Sequence, residues 1–115
     1  MEELMKEIAE WHKKTFDTTL KAQALKFGEE LDEVLNVQSL DEWYKEMADV
    51  LFVLAAMVYR FKDPVGRAML TMVLCVCHKD MPRLIQELVA KFEKNKNRVW
   101  IKQPNGTYHH APNTD

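Results

Sequence analysis

Two clusters of acidic residues stand at spacings that could hold a divalent cation. Glu29-Glu30-Leu31-Asp32-Glu33 is followed, after twelve residues, by Glu46-Met47-Ala48-Asp49. On helices, positions i and i+3 lie about 60° and one turn apart, so Glu30 with Glu33, and Glu46 with Asp49, can each project to one point. Together they make a four-carboxylate cage. On solvent-facing helices the same spacing is ordinary surface decoration. The neighbours of Glu46 argue otherwise, because it lies within the stripe Trp43, Val50, Val53, Met57, and Asp49 is followed at i+4 by Val53. A carboxylate bordering such a face costs several kcal/mol unless compensated, and like charges ~4 Å apart repel by about 4 kcal/mol at an effective dielectric of about 20. Lys26, on the side of Glu30 and Glu33, supplies one positive charge, and Lys45 is directed elsewhere. A divalent cation is the economical counter-charge; a salt-bridge network with raised pKa values is the alternative. Oxygen-only ligands favour Mg²⁺, with Mn²⁺ as a substitute, over zinc or copper.

The charge balance has the same polarity. From Glu29 to Asp49 there are eight acids and one base, a charge of −7, whereas Lys91 to Lys102 holds five bases and one acid, a charge of +4. The whole chain carries only −2, which gives no general attraction to nucleic acid or to an anionic membrane. A di-iron carboxylate centre needs Glu-x-x-His pairs, and none of His12, His78, His109 or His110 has a Glu three residues before it. The chain also has no P-loop, no HExxH pair and no dinucleotide glycine fingerprint.

The elements that must position these residues are helices. The chain has 115 residues, is 47% hydrophobic and 30% charged, and has only three Gly and four Pro, which is the composition of a single domain. Its longest apolar run, Val50 to Tyr59, is too short to cross a bilayer. The acidic start, Met1 to Glu7, does not resemble a secretory signal, so a cytoplasmic location is expected. Leu4, Ile8, Trp11 and Thr15 form the stripe of a first helix ending near Asp17-Thr18-Thr19, which can cap the second. The second helix, about Thr19 to Val37, bears Leu20, Ala24, Phe27, Leu31 and Val34, with Gly28 tolerated or kept for close packing. Ser39-Leu40-Asp41-Glu42 is a capping box for a third helix to about Phe61, stopped by Lys62-Asp63-Pro64. Residues 65–79, with Met69, Met72, Val73 and Val76, form another apolar helix, and Asp80 and Pro82 start a last one to about Asn97. The fold class is therefore all-α: a bundle of four long helices plus one shorter. A short C-terminal hairpin or ordered tail from about residue 99 follows, turning at Pro104-Asn105-Gly106 between Val99-Trp100-Ile101 and Thr107-Tyr108-His109, and the last five residues should be loose.

The pattern Glu-Glu-x-x-Glu, a gap of twelve, then Glu-x-x-Asp running into Val-Leu-Phe-Val-Leu resembles the MazG-like nucleotide pyrophosphohydrolases, the short phage-type members most. The resemblance extends to Trp11-His12-Lys13-Lys14-Thr15-Phe16 and to Lys91 through Arg98, about residues 8–110 in all. It implies an all-α homodimer or dimer of dimers that hydrolyses nucleoside triphosphates to monophosphate and pyrophosphate with Mg²⁺, clearing nucleotide pools. By that pattern Glu30, Glu33, Glu46 and Asp49 are the metal ligands. Glu29 and Glu30 carry the catalysis, Glu29 polarising the attacking water or holding another ion. One departure is Asp17, where the family often has proline after the Thr-Phe pair.

The residues suit that chemistry on their own terms. A triphosphate carries about four negative charges and approaches a carboxylate cage only if cations intervene. Leu84, Leu88, Lys91, Asn95 and Arg98 form one stripe, apolar and then polar, that should leave the core and enter a cleft. Lys91, Asn95, Lys96 and Arg98, with Lys26, are the candidate substrate-binding residues; a solvated basic helix end is the plainer account of each base. Trp11 could stack on a base and His12 reach the sugar or base edge, although the Leu4-Ile8 stripe favours a core position for Trp11. Cys75 and Cys77 lack zinc-site spacing and read as buried small hydrophobes. His109 and His110 either contact substrate or decorate the tail, and the methionines of residues 65–81 suit a helical dimer interface or plain core. Two further functions use the same residues: a non-catalytic helical module whose acidic patch binds a partner, and the same fold acting on phosphoribosyl-ATP or one pyrimidine deoxynucleotide.

Overall fold

The computed structural model describes residues 1–112. Five α-helices are followed by a two-stranded hairpin: α1 (Glu2–Thr15), α2 (Leu20–Leu35), α3 (Leu40–Ala55), α4 (Pro64–Val76), α5 (Met81–Lys96), β1 (Trp100–Lys102) and β2 (Tyr108–His110). The helices have 14, 16, 16, 13 and 16 residues, so the distinction between four long and one shorter is slight. Among the described residues no helix is long and apolar enough to cross a membrane.

Local side-chain chemistry sets the boundaries. Thr19, Ser39, Asp63 and Asp80 each accept a backbone N–H of the first turn of α2, α3, α4 and α5, supplying groups that a helix start leaves without partners. The reciprocal half of the capping box is displaced by one residue, since Glu42 accepts from the N–H of Gln38 rather than of Ser39. α3 does not stop at Ala55 but passes into a π-helical turn, Ala56–Arg60. In that turn Phe61 N–H donates to the Ala56 carbonyl at 3.0 Å. Lys62 then adopts a left-handed φ of 56° and the chain leaves the helix. Gly66 of α4 crosses so close that a Cβ there would lie 3.1 Å from Cβ of Met57.

α3 is the central helix, packed against α1, α2, α4 and α5. Val50 to Val58 is buried without interruption, as an apolar run surrounded on all sides must be. Leu84, Leu88 and Phe92 of α5 complete the core with Met5 and Ile8 of α1. Two stripes differ from the sequence expectation. On α1 the buried set is Met5, Ile8, Ala9 and His12, while Thr15 is exposed. On α2 the buried set is Ala22, Gln23 and Phe27, while Ala24 and Leu31 face outward. The stripes 20-24-27-31-34 and 20-23-27-30-34 share three positions, and the apolar criterion selects the wrong one because Gln23 and Glu30 are turned inward. A Cβ at Gly28 would meet nothing within 4 Å, so close packing does not account for this glycine. Cys77 is buried as expected but Cys75 is exposed.

The hairpin is antiparallel, with Trp100 opposite His110 and Lys102 opposite Tyr108, one residue later in each strand than the sequence suggested. It docks on the α1–α2 corner. Trp100 and Tyr108 pack on Phe16, with ring centroids 5.3 and 4.7 Å away, and Thr18 Oγ1 donates to the Gly106 carbonyl at 2.8 Å. Gly106 has φ 88°, and a Cβ there would meet Ala22 Cβ at 3.1 Å, so both backbone conformation and close approach require glycine. Of the last five residues, Ala111 is tied down, its N–H donating to the Val99 carbonyl at 2.8 Å; residues 113–115 lie outside the described residues.

Candidate functional site

The inward turn of α2 brings Glu30 to the face of α3 that carries Glu46 and Asp49. One carboxylate oxygen from each lies within 4.8 Å of the other two. Glu33 lines the same cleft but is exposed and outside this trio. The four-carboxylate cage is thus three converging acids with Glu33 in the cleft lining but outside the trio.

The trio is electrostatically loaded. Burial, and then the charge of Asp49, raises Glu30 from 4.5 to about 7 against the opposing pull of Lys26. Glu46 also rises to about 7, through burial first and then through Asp49 and Glu33. Two lysines reply. Lys26 Nζ is 3.5 Å from both Glu29 and Glu30, and Lys91 Nζ is 2.9 Å from Asp49. Even so, Oε2 of Glu46 is buried without a hydrogen-bond partner among the described residues. Lys45 pairs with Asp41, away from the trio, as expected.

Of the trio, Glu30 and Asp49 line a cleft of about 520 Å³ between α1, α2, α3, α5 and the hairpin, and Glu46 is not among its lining residues. Lys26, Glu29, Asn95, Arg98, His109 and His110 line it together with these two acids, as do His12, Phe16, Thr18, Gln23 and Tyr108. Asn95 and Arg98 of the α5 stripe therefore enter a cleft, whereas Lys91, paired with Asp49, is not among its lining residues. Asn95 is buried and accepts from Arg98 Nη1 at 2.9 Å, and its backbone carbonyl accepts from Trp100 Nε1. His109 Nε2 lies 3.3 Å from Glu29.

No family model, curated protein or solved structure matches this chain. The site must be read from its own geometry.

Trp11 and Lys96 take other positions, and His12 is held by a neighbour. Trp11 is not among the lining residues; it is half-buried in an aromatic cluster with Phe16, Phe52 and Phe92. Lys96 is turned away, paired with Glu93 at 2.7 Å and lying over the Phe92 ring. His12 does line the cleft, but its Nδ1 is engaged by Arg60 Nη1 at 2.8 Å. Sequence reasoning missed Gln23, Phe16, Thr18, Arg60 and Tyr108. Of these only Gln23 had a local signal, the alternative 20-23-27-30-34 stripe.

Proposed function

We propose that the protein is a Mg²⁺-dependent hydrolase of nucleoside triphosphates, releasing the monophosphate and pyrophosphate, as the resemblance to the MazG-like enzymes implies. The observation that supports this reading is the convergence of Glu30, Glu46 and Asp49, two of which line a cleft that also carries aromatic and amide side chains. The donor set suits a hard cation: all ligating atoms are oxygen, and one buried oxygen of Glu46 has no partner among the described residues. Oxygens around one Mg²⁺ at about 2.1 Å stand roughly 3–4 Å apart, so modest side-chain rotations bring the trio to that spacing. Bound there, Mg²⁺ would screen the carboxylates from the phosphates and stabilise charge on the phosphoryl oxygens.

The chain's own groups do the rest. Glu30, Glu46 and Asp49 hold the ion, with Glu33 adding charge from the cleft lining. Lys26, Asn95 and Arg98 orient the phosphates, and Lys91 releases Asp49 as substrate enters and takes up phosphate charge. Glu29 orients a water molecule and takes its proton as the water oxygen bonds to the α-phosphorus. The bond from that phosphorus to the α–β bridging oxygen breaks, and pyrophosphate leaves. The aromatic side chains of the cleft house the base.

The lysine pairs also favour a second reading, in which the acids are neutralised internally and the patch docks a partner without catalysis. Calorimetric titration with Mn²⁺ and product analysis over a panel of triphosphates separate the two. Carboxylate-dependent Mn²⁺ binding with pyrophosphate release supports hydrolysis. Glu46→Gln should abolish turnover and leave the helical signal intact; a variant as active as wild type removes the trio from the mechanism.

A further inference from the structure

Glu29 lines the cleft beside Glu30 but stands outside the converging trio. Its carboxylate is held from two different elements. Lys26, one turn earlier on α2, places Nζ 3.5 Å from Oε2. His109 of β2, 80 positions later in the chain, places Nε2 3.3 Å from the same oxygen. A carboxylate only accepts, so His109 Nε2 must donate, and the neutral ring carries its proton on that nitrogen. Both anchors thus fall on Oε2. Oε1 makes no hydrogen bond among the described residues, which leaves its lone pairs to a water molecule.

The hairpin that carries His109 is fixed by other contacts. Trp100 and Tyr108 pack on Phe16, Thr18 Oγ1 donates to the Gly106 carbonyl at 2.8 Å, and Trp100 Nε1 donates to the Asn95 carbonyl at 3.1 Å. The strand therefore stays in place without help from Glu29. The side chain of His109 is 47% exposed and that of Glu29 40%, and a pair so open to solvent adds little stability. Its effect is direction: a long glutamate side chain is confined by one donor from its own helix and another from the strand.

We infer that His109 is a positioning residue of the reaction: with Lys26 it pins Oε2 of Glu29, so that Oε1 takes the proton of the attacking water. This deepens the proposed function and rests on its assignment of Glu29 as the base. As the O–H bond of the water breaks toward Oε1, the water oxygen bonds to the α-phosphorus and pyrophosphate leaves. His109 keeps its own proton throughout and touches no substrate. A base held in this way meets the water in reactive geometry, whereas a freely turning side chain does so in only a fraction of its rotamers.

The test is steady-state and single-turnover hydrolysis of the deoxynucleoside triphosphates with Mg²⁺ by the full chain. His109→Leu should lower kcat by about tenfold to hundredfold, with KM changed less than threefold and an unshifted thermal midpoint. His109→Gln, whose amide nitrogen takes the place of Nε2, should recover most of the loss. Lys102→Ala removes the hairpin's ion pair with Asp17 at 3.8 Å and should leave kcat unchanged, which separates His109 from mere loosening of the hairpin. On a Glu29→Gln background His109→Leu should cost less than threefold, because a residue acting through Glu29 has nothing left to position. Nitrogen-15 shifts of the His109 ring should show the proton on Nε2 and should move on Glu29→Gln. The inference is overturned by an unchanged kcat in His109→Leu, a loss confined to KM, no recovery in His109→Gln, an equal loss in Lys102→Ala, or a full second loss on the Glu29→Gln background. Any of these, with pyrophosphate released by wild type, leaves the hydrolase reading standing. No pyrophosphate from any triphosphate with wild type overturns that reading and the role of His109 with it.

Discussion

Glu30 should destabilise the metal-free fold at neutral pH, and its replacement by glutamine exposes the effect. Its carboxyl binds a proton with a pKa of about 7 in the folded chain against 4.5 as an ordinary carboxylate. A group whose folded value is raised contributes stability in full below the unfolded value and loses it as pH rises through the folded one, here between pH 4.5 and 7. A shift of 4.5 to about 7 corresponds to about 3 kcal/mol. Glu30 is only 14% exposed, so solvent screens little of it. His12 acts in the opposite sense. With its pKa lowered from 6.5 to about 4, the unfolded chain binds the extra proton, so stability is lost as pH falls through that window. Glu46, raised likewise to about 7, acts in the same sense as Glu30, so His12 offsets only one of the two acids and wild type in chelator should lose stability as pH rises from 4.5 to 7. Glu30→Gln removes one of the two raised acids. Measured by urea unfolding in chelator, the variant should gain on wild type steadily from pH 5 to pH 8, approaching 3 kcal/mol less the lost Lys26 pair. Millimolar Mn²⁺ should stabilise wild type at pH 8 far more than at pH 5, and should hardly stabilise the variant. A difference between variant and wild type that stays constant from pH 5 to 8 would refute the argument that Glu30 sits desolvated beside like charges.

Three other substitutions probe the frame around this site. Lys91→Met removes the amine 2.9 Å from Asp49; Mn²⁺ should then bind several-fold more tightly in calorimetry without nucleotide, while KM for triphosphate rises. Gly106→Ala forces a side chain onto a backbone at φ 88° and against Ala22, and should lower stability by about 1–3 kcal/mol in thermal unfolding, with the fluorescence of Trp100 changing as the hairpin lifts. Met72 and Val76 of α4 are 68% and 66% exposed, a surface that the homodimer implied by the resemblance would bury; Met72→Glu should then give the sedimentation coefficient of a monomer, and an unchanged dimer would place the interface elsewhere.

What the sequence disclosed about this molecule follows the range over which each interaction acts. The caps at Ser39, Asp63 and Asp80 operate within three residues, so the starts of α3, α4 and α5 were legible to within a residue. The long apolar run of α3 could only be a central helix, and the position of Glu46 and Asp49 beside it followed from the 3.6-residue period. The face of α2 was not legible by the same rule, because the rule assumes that apolar residues point inward. This chain instead turns Gln23 and Glu30 inward and leaves Leu31, 39% exposed, in solvent. A stripe that breaks the hydrophobic pattern where two helices meet marks a site maintained against stability, since an inward leucine would have satisfied packing without desolvating an acid. The π-helical turn had no signal at all: nothing in Ala-Met-Val-Tyr-Arg announces an extra residue in the turn, yet that insertion aims Arg60 at His12, 48 positions earlier. Contacts of that separation, like those of Phe16 with Trp100 and Tyr108, depend on the assembled bundle. For that reason the acids of the site could be read from one dimension and the aromatic and amide residues of the cleft could not.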